Sequence, residues 1–145
     1  VSATLMLRRA TAEDRQWFLR LRNDPVTVQH SQRDSEVAVA EHALWFERAL
    51  ATPHRQLYVA EVAGVPVGTG RLDCDRQSAE LSLVVAPEHR GRGHGEALVA
   101  ALVAAASAQG IRYCFAYVKP TNVASLQCFA ANGFAGAPVR LARTL

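Results

Sequence analysis

Residues 89–98 read HRGRGHGEAL. In that stretch Gly91, Gly93 and Gly95 alternate with Arg90, Arg92 and His94, and an apolar run, ALVAALVAAASA at 97–108, follows directly. Glycine leaves the main chain open to close approach and takes positive φ without strain. The apolar run predicts a helix over 94–108. The first turn of a helix presents N–H groups without intrahelical partners, at the positive end of its dipole. Bare amides at a helix start form an anion site, to which Arg90 and Arg92 add charge. The chemistry expected here is recognition of a phosphate-bearing ligand.

Two familiar phosphate loops do not fit. A nucleotide-binding P-loop requires Gly-Lys-Ser/Thr, and the chain has none. A dinucleotide loop follows the first strand of a βαβ unit and needs an acidic residue about 20 residues on. Here the loop follows a fourth strand, and 110–118 holds no acid.

The elements that position this loop follow from periodicity. TLMLRRA (4–10) opens as a strand. In TAEDRQWFLRLRND, Thr11 suits an N-cap, Glu13 and Asp14 suit a first turn, and Trp17, Phe18 and Leu21 form a helical stripe. NDP at 23–25 breaks it, because the residue before a proline resists helical backbone. DSEVAVAEHALWFERALAT (34–52) predicts a second helix with Val37, Ala40, Leu44, Trp45 and Ala49 inward. The period then shortens to two. Residues 55–64 and 65–75 predict strands joined in a hairpin at Gly64, and 78–87 a strand ending at Pro87. Beyond the 94–108 helix, closed at Gly110, come a strand at 111–118, a helix from 122 stopped at Gly133, and a strand within 134–144. The order β-α-α-β-β-β-α-β-α-β predicts a single α/β (α+β) domain over 1–145, a mixed sheet with helices on its faces.

These residues resemble the GNAT superfamily of acetyl-CoA-dependent N-acetyltransferases. Arg90–Gly95 matches its R/Q-x-x-G-x-G/A loop, and an apolar strand ending in Val-x-Pro-Glu (85–88) precedes it. NVASLQCFAANGF (122–134) looks like its N-x-x-A/S-x-x-L-Y-x-x-x-G-F segment. The resemblance runs in element order along the chain. It implies a mostly antiparallel, twisted sheet with a central β-loop-α unit, and acetyl-CoA as co-substrate without a metal. It places the backbone of Leu83, Val84 and Val85 along the pantetheine arm. Arg90, Gly91, Arg92, Gly93, His94 and Gly95 would surround the pyrophosphate, and Asn122 would lie near the thioester. Splayed strands at 78–86 and 111–118 would form the cleft. Asn122 also suits a helix N-cap, and the two roles can coexist.

Acetyl transfer to a primary amine needs a path for the amine proton and polarisation of the thioester carbonyl. The candidate base is Glu80, at the start of a central strand where several relatives carry a catalytic Glu. Alternation places Glu80, Ser82 and Val84 on one face, opposite Leu81, Leu83 and Val85; burial favours the protonated form of a carboxyl. An ion-paired surface carboxylate is the other reading of Glu80, and Asp73 and His89 stand behind it as bases. Phe129, beside the cofactor, occupies the place where many relatives carry a Tyr that protonates the leaving thiolate. A phenyl ring has no proton to give. Either the thiolate leaves unassisted, its thiol having a pKa of about 8.5, or Tyr117 or Tyr113 supplies the proton. The same residue leaves open a second function, a catalytically weak acetyl-CoA-binding module. Cys128 has no His or acid near it in sequence and reads as packing.

In this superfamily the segment after the first strand governs the acceptor. The RNDP…H…WF pattern within 21–50 looks like amino-sugar-nucleotide acetyltransferases and, more distantly, ribosomal-protein N-terminal acetyltransferases. The acceptor expected is therefore a small-molecule amine, that of an amino-sugar nucleotide, with a protein N-terminus as the alternative. His30, Arg33 and His42 would meet phosphate or sugar hydroxyls, while Trp45 and Phe46 also suit packing.

Composition narrows the setting. Half the residues are hydrophobic, a fifth are charged, and the net charge is +3, ordinary for a globular protein. No stretch reaches the ~18 apolar residues of a membrane span, and no Lys/Arg block interleaved with aromatics suggests nucleic acid. Cys74, Cys114 and Cys128 form no CxxC pair, and the histidines lack zinc spacing. Free thiols suit a reducing cytoplasm, and VSATLMLRRA lacks the basic flank and apolar stretch of a leader. The expectation is a cytoplasmic enzyme without nucleic-acid or membrane partners. Dimers are common among proteins it resembles, so a homodimer is the assembly expected.

Overall fold

The computed structural model describes residues 4–33, 35–136 and 140–145. Six strands form one sheet in the order of the chain: β1 (Leu5–Arg9), β2 (Arg55–Val62), β3 (Val65–Asp75), β4 (Ser78–Val85), β5 (Tyr113–Tyr117) and β6 (Arg140–Thr144). Among the described residues five α-helices accompany them: α1 (Arg15–Arg22), α2 (Pro25–His30), α3 (Val39–Ala51), α4 (His94–Ala108) and α5 (Val123–Ala131). All neighbouring strands are antiparallel except β4 and β5, which run parallel. The β2–β3 turn has Ala63 and Gly64 at φ 52° and 77°, the positive values a two-residue hairpin needs. A parallel pair needs a long crossover, and α4 supplies it.

Strand alternation divides the core in two. Tyr58 and Ala60 of β2, Leu72 of β3 and Leu81 of β4 pack with Leu98, Leu102 and Ala106 of α4 and with Phe129 of α5. Leu57 and Val59 of β2 project the other way, against Phe18 of α1 and Phe46 and Ala49 of α3. Both faces of β2 are therefore covered, and Gln56 through Ala60 are all buried.

Two expectations are corrected. Helix α2 follows NDP, where periodicity predicts only a break. Pro25 opens this helix at a position where an N–H would have no partner, and Asp24 caps it by accepting a hydrogen bond from the Thr27 N–H at 3.2 Å. Helix α3 begins at Val39 and buries His42, Phe46 and Ala49; Ala40 and Leu44 face solvent, and Val37 precedes the helix. Its phase is set by Phe46, whose ring lies 5.2 Å from that of Phe18. The apolar run ALWF covers most of a helical turn, so composition could not choose the face. The expected helix start at Asp34 and the 137–139 part of the last strand lie outside the described residues.

This phase makes a direct prediction. Phe46→Ala should cost about 3–5 kcal/mol, whereas Leu44→Ala, at a site 49% exposed, should stay within about 0.5 kcal/mol. Urea denaturation of both variants reads the difference.

Candidate active site

Strands β4 and β5 pair at only three positions, Ser78–Tyr113, Ala79–Cys114 and Glu80–Phe115. On its other side β4 stays paired with β3 as far as Val85–Gly68. From Leu81 onward the β5 side of β4 therefore has no strand neighbour among the described residues. Main-chain N–H and C=O groups demand partners, so an unpaired edge inside a sheet can take an extended ligand as an added strand. The divergence opens into a cleft of about 1070 Å³, lined by Leu83, Val84 and Val85, by the loop from His89, and by Tyr117 and Asn122.

The loop carries its amides to the cleft by backbone geometry. Gly93 is the N-cap of α4 at φ +80°, and Gly91 sits at φ +75°. A Cβ at either would meet nothing within 4 Å, so the space beside these amides is open. No side chain caps α4. Gly95 differs, because a Cβ there would come within 2.8 Å of the Cys128 Sγ on α5. Its smallness lets the two helices meet.

Arg90 is not a free cation. Its Nε donates to the Val85 carbonyl at 3.1 Å, and its Nη2 donates to Asp24 Oδ2 at 2.9 Å. The guanidinium thus ties the end of β4 to the N-cap of α2. Burial pushes the Asp24 carboxyl up, but the hydrogen bonds from Arg90 and Thr27 outweigh it and hold the group below the ordinary carboxylate range. A second ion pair, Arg20–Glu88, joins α1 to the same turn. Arg92 is exposed and does not line the cleft.

On the sheet face toward α1 and α3, Glu80 is 30% exposed, and its Oε2 lies 4.0 Å from the Arg71 Nη2. The same Nη2 donates to Ser82 Oγ at 3.3 Å. Asp73 is held by Arg55 at 2.6 Å and Arg71 at 3.0 Å, which occupies it as a base. His89 lines the cleft with its ring 6.2 Å from that of His94. Tyr117 is 47% exposed and lines the cleft. Tyr113, four residues back on β5, lies under Arg140 and does not. Asn122 caps α5, accepting from the Ser125 N–H at 3.2 Å, and also lines the cleft. Phe129 is buried edge-on against Phe134, ring centres 5.0 Å apart. Burial, and then the charge of Glu96, push the Cys128 thiol up, away from nucleophilic use.

Beyond the sheet, α1 to α3 form the other wall. His42 is 3% exposed, stacks on Phe46 at 5.9 Å, and lines the cleft. Burial first, then the charges of Arg15 and Arg22, hold its imidazole below the usual pKa. Lys119, after β5, donates to the Gln29 carbonyl at 3.1 Å and so reaches α2. Arg22 and Arg71 line the cleft without having been anticipated; Arg71 stands beside Ser82 only through strand register. Among the described residues no cluster of His, Cys, Asp or Glu could hold a metal, and no helix is long and apolar enough to cross a membrane.

A model of the acetyltransferase (GNAT) family matches residues 15–134. Mycothiol acetyltransferase of Stackebrandtia nassauensis is 40% identical over 65 residues, 44% of this chain and 21% of that protein. The match thus spans about a fifth of that relative's length. Aminoglycoside acetyltransferase AAC(6')-Ib, solved with coenzyme A and kanamycin, superposes with a TM-score of 0.83 at 19% identity, over 97% of this chain and 95% of that one. Spermidine N-acetyltransferase from Vibrio cholerae, solved with CoA and spermine, gives 0.85 at 17% identity, over 97% and 95%. These two likenesses establish the fold.

Two predictions separate the roles of the loop. Gly95→Val should destabilise the protein by about 1–3 kcal/mol through overpacking, and Cys128→Ala should recover part of that loss in the double variant; chemical denaturation measures both. A double-mutant cycle of Asp24→Asn and Arg90→Gln should show a coupling of about 1–2 kcal/mol at pH 7. Because the folded-state pKa of Asp24 is depressed, this coupling should persist down to the unfolded carboxyl pKa of about 3.9 and disappear as pH falls through the lower folded value.

Proposed function

The chain belongs to the acetyltransferase (GNAT) family, and on that premise we propose that it moves an acetyl group from acetyl-CoA to the primary amine of a small molecule by direct transfer. The observation that carries this reading is the unpaired β4 edge running straight into the open glycine loop at the start of α4. An extended pantetheine arm fits the edge at Leu83–Val85, and a pyrophosphate fits the amides around Gly91 and Gly93. Arg90 serves this site by fixing the loop, and Arg92, His94 and Gly95 complete its surroundings. When bound, acetyl-CoA supplies an acetyl group activated as a thioester. In the balanced step the amine nitrogen bonds the acetyl carbon, the carbon–sulfur bond breaks, and one N–H proton leaves.

Glu80 takes that proton, with Arg71 and Ser82 holding its strand face in order. The Tyr117 hydroxyl is the group placed to protonate the departing sulfur, since buried Phe129 has no proton to donate. Asn122 can orient the arm while it caps α5. The finer reading of the acceptor, an amino-sugar nucleotide, draws support from the RNDP…H…WF segment and from the arginine and histidine side chains on the wall it builds. Neighbours of the same fold were solved with kanamycin and spermine, which supports an amine acceptor. The three free cysteines support a cytoplasmic setting. A catalytically weak acetyl-CoA-binding module is the second reading, favoured by Phe129 alone.

Calorimetric titration with acetyl-CoA, desulfo-CoA and ATP tests the proposal. Only the CoA species should bind; no binding would end the acetyl-transfer reading. Glu80→Gln should lower the rate about 100-fold at neutral pH while acetyl-CoA affinity stays unchanged. A pH–rate profile identical to the parent's removes Glu80 from the role. Tight cofactor binding with negligible thioester turnover on every amine would select the second reading.

A further inference from the structure

We infer that the α1–α3 wall of the cleft contains an anion subsite built from Arg22 and His42, so that the acceptor amine belongs to a molecule that also carries a phosphate or carboxylate. This rests on the acetyl-transfer reading of the cleft, but not on the acceptor being a sugar.

Arg22 ends α1, and its Nη2 donates to the carbonyls of Arg33 at 2.9 Å and Ser35 at 3.4 Å. The adjoining Asn23 exchanges two hydrogen bonds of 2.8 Å with the backbone of Val37, so the segment against Arg22 is pinned. The other arm, Nη1, is buried and has no hydrogen-bond partner among the described residues. His42 Nδ1 is likewise buried and unpartnered, as is His30 Nδ1 at the end of α2. All three side chains line the cleft. Arg22 is close enough to His42 for its charge to help keep that imidazole neutral, which leaves an N–H able to donate without a second buried charge. Buried polar atoms without partners are rare, and each one calls for an explanation.

The carboxylates nearby do not answer it. Glu41 pairs with Arg33 at the mouth, Asp24 with Arg90, and Glu80 lies against Arg71. Both Glu41 oxygens are taken by Arg33, so its charge reaches Arg22 without a hydrogen bond, and among the described residues Arg22 is left with a fixed, desolvated donor. An oxyanion supplies the missing lone pairs, and a guanidinium edge matches its geometry. A polyamine brings only more donors and more positive charge. With the anion at Arg22 and His42, the rest of the acceptor crosses the same cleft toward Glu80.

Matched amines test this: glucosamine against glucosamine 6-phosphate, ethanolamine against O-phosphoethanolamine, and propylamine against β-alanine, read as thiol release. The anionic member of a pair should show kcat/KM about tenfold or more above its neutral partner. Arg22→Lys and His42→Phe should each shrink that preference about tenfold while acetyl-CoA affinity holds. The phosphate and carboxylate pairs identify which anion is preferred. Neutral members matching or exceeding their partners would overturn the subsite. A second readout needs no turnover: inorganic phosphate should move the His42 imidazole signals in NMR spectra of the CoA-saturated protein, and should fail to do so in Arg22→Lys. Unmoved signals sink the proposal even if no amine is acetylated. A movement that emerges only in Asp34→Asn also sinks it, because Arg22 would then belong to that acid. If acetyl-CoA does not bind, the transfer reading falls, and the phosphate titration of the CoA-free protein still decides the subsite.

Discussion

Strand β4 answers to two neighbours with different demands. The tight turn to β3 holds it antiparallel along its full length, while β5 arrives parallel through the α4 crossover and stays beside it for three residues. Neighbouring strands twist relative to one another, and once β5 departs no strand among the described residues refills the edge it leaves. The sheet thereby keeps a wedge of unpaired backbone at its centre rather than at its rim. Because α4 starts where β4 ends, the helix start and the wedge share one corner. The cleft is a consequence of strand order before it is a consequence of any side chain.

The second organising feature is the pair of bridges from the α1–α2 layer to the turn after β4. Arg20 reaches Glu88, and Arg90 reaches Asp24. One short turn is thus fixed from the α1–α2 layer, next to the glycine loop. Displacement of α2 would be felt by the loop amides, and the reverse holds as well. Arg90, in the position of a charge expected to meet phosphate, is instead engaged by the Val85 carbonyl and Asp24, so on the acetyl-CoA reading the loop amides would carry more of the recognition.

Much of this was legible from local pattern. The glycine loop, the helix it opens, the β2–β3 hairpin and the face shared by Glu80, Ser82 and Val84 all depend on residues within one or two turns of each other. What escaped reading depends on distant partners. Arg90 and Asp24 are 66 residues apart, so no spacing rule links them. Gly95 answers to Cys128 on another helix. Tyr113 and Tyr117 share a strand face, and only the point at which β5 leaves β4 tells which one borders the cleft. Helix α2 was hidden by Pro25, which reads equally as a stop or as a first helical residue, and the face of α3 was decided by the ring of Phe18.

Lys119, held by the Gln29 carbonyl, has a consequence through its solitude. Of the sixteen Lys and Arg residues it is the one lysine. Guanidinium groups stay protonated throughout the physiological range, so they carry charge without offering a lone pair to an acyl donor. On the acetyl-transfer reading, the protein is in this way built from cations that a thioester co-substrate does not acylate. Within these residues, accidental self-acetylation has a single side-chain amine to find, and that amine is already tethered.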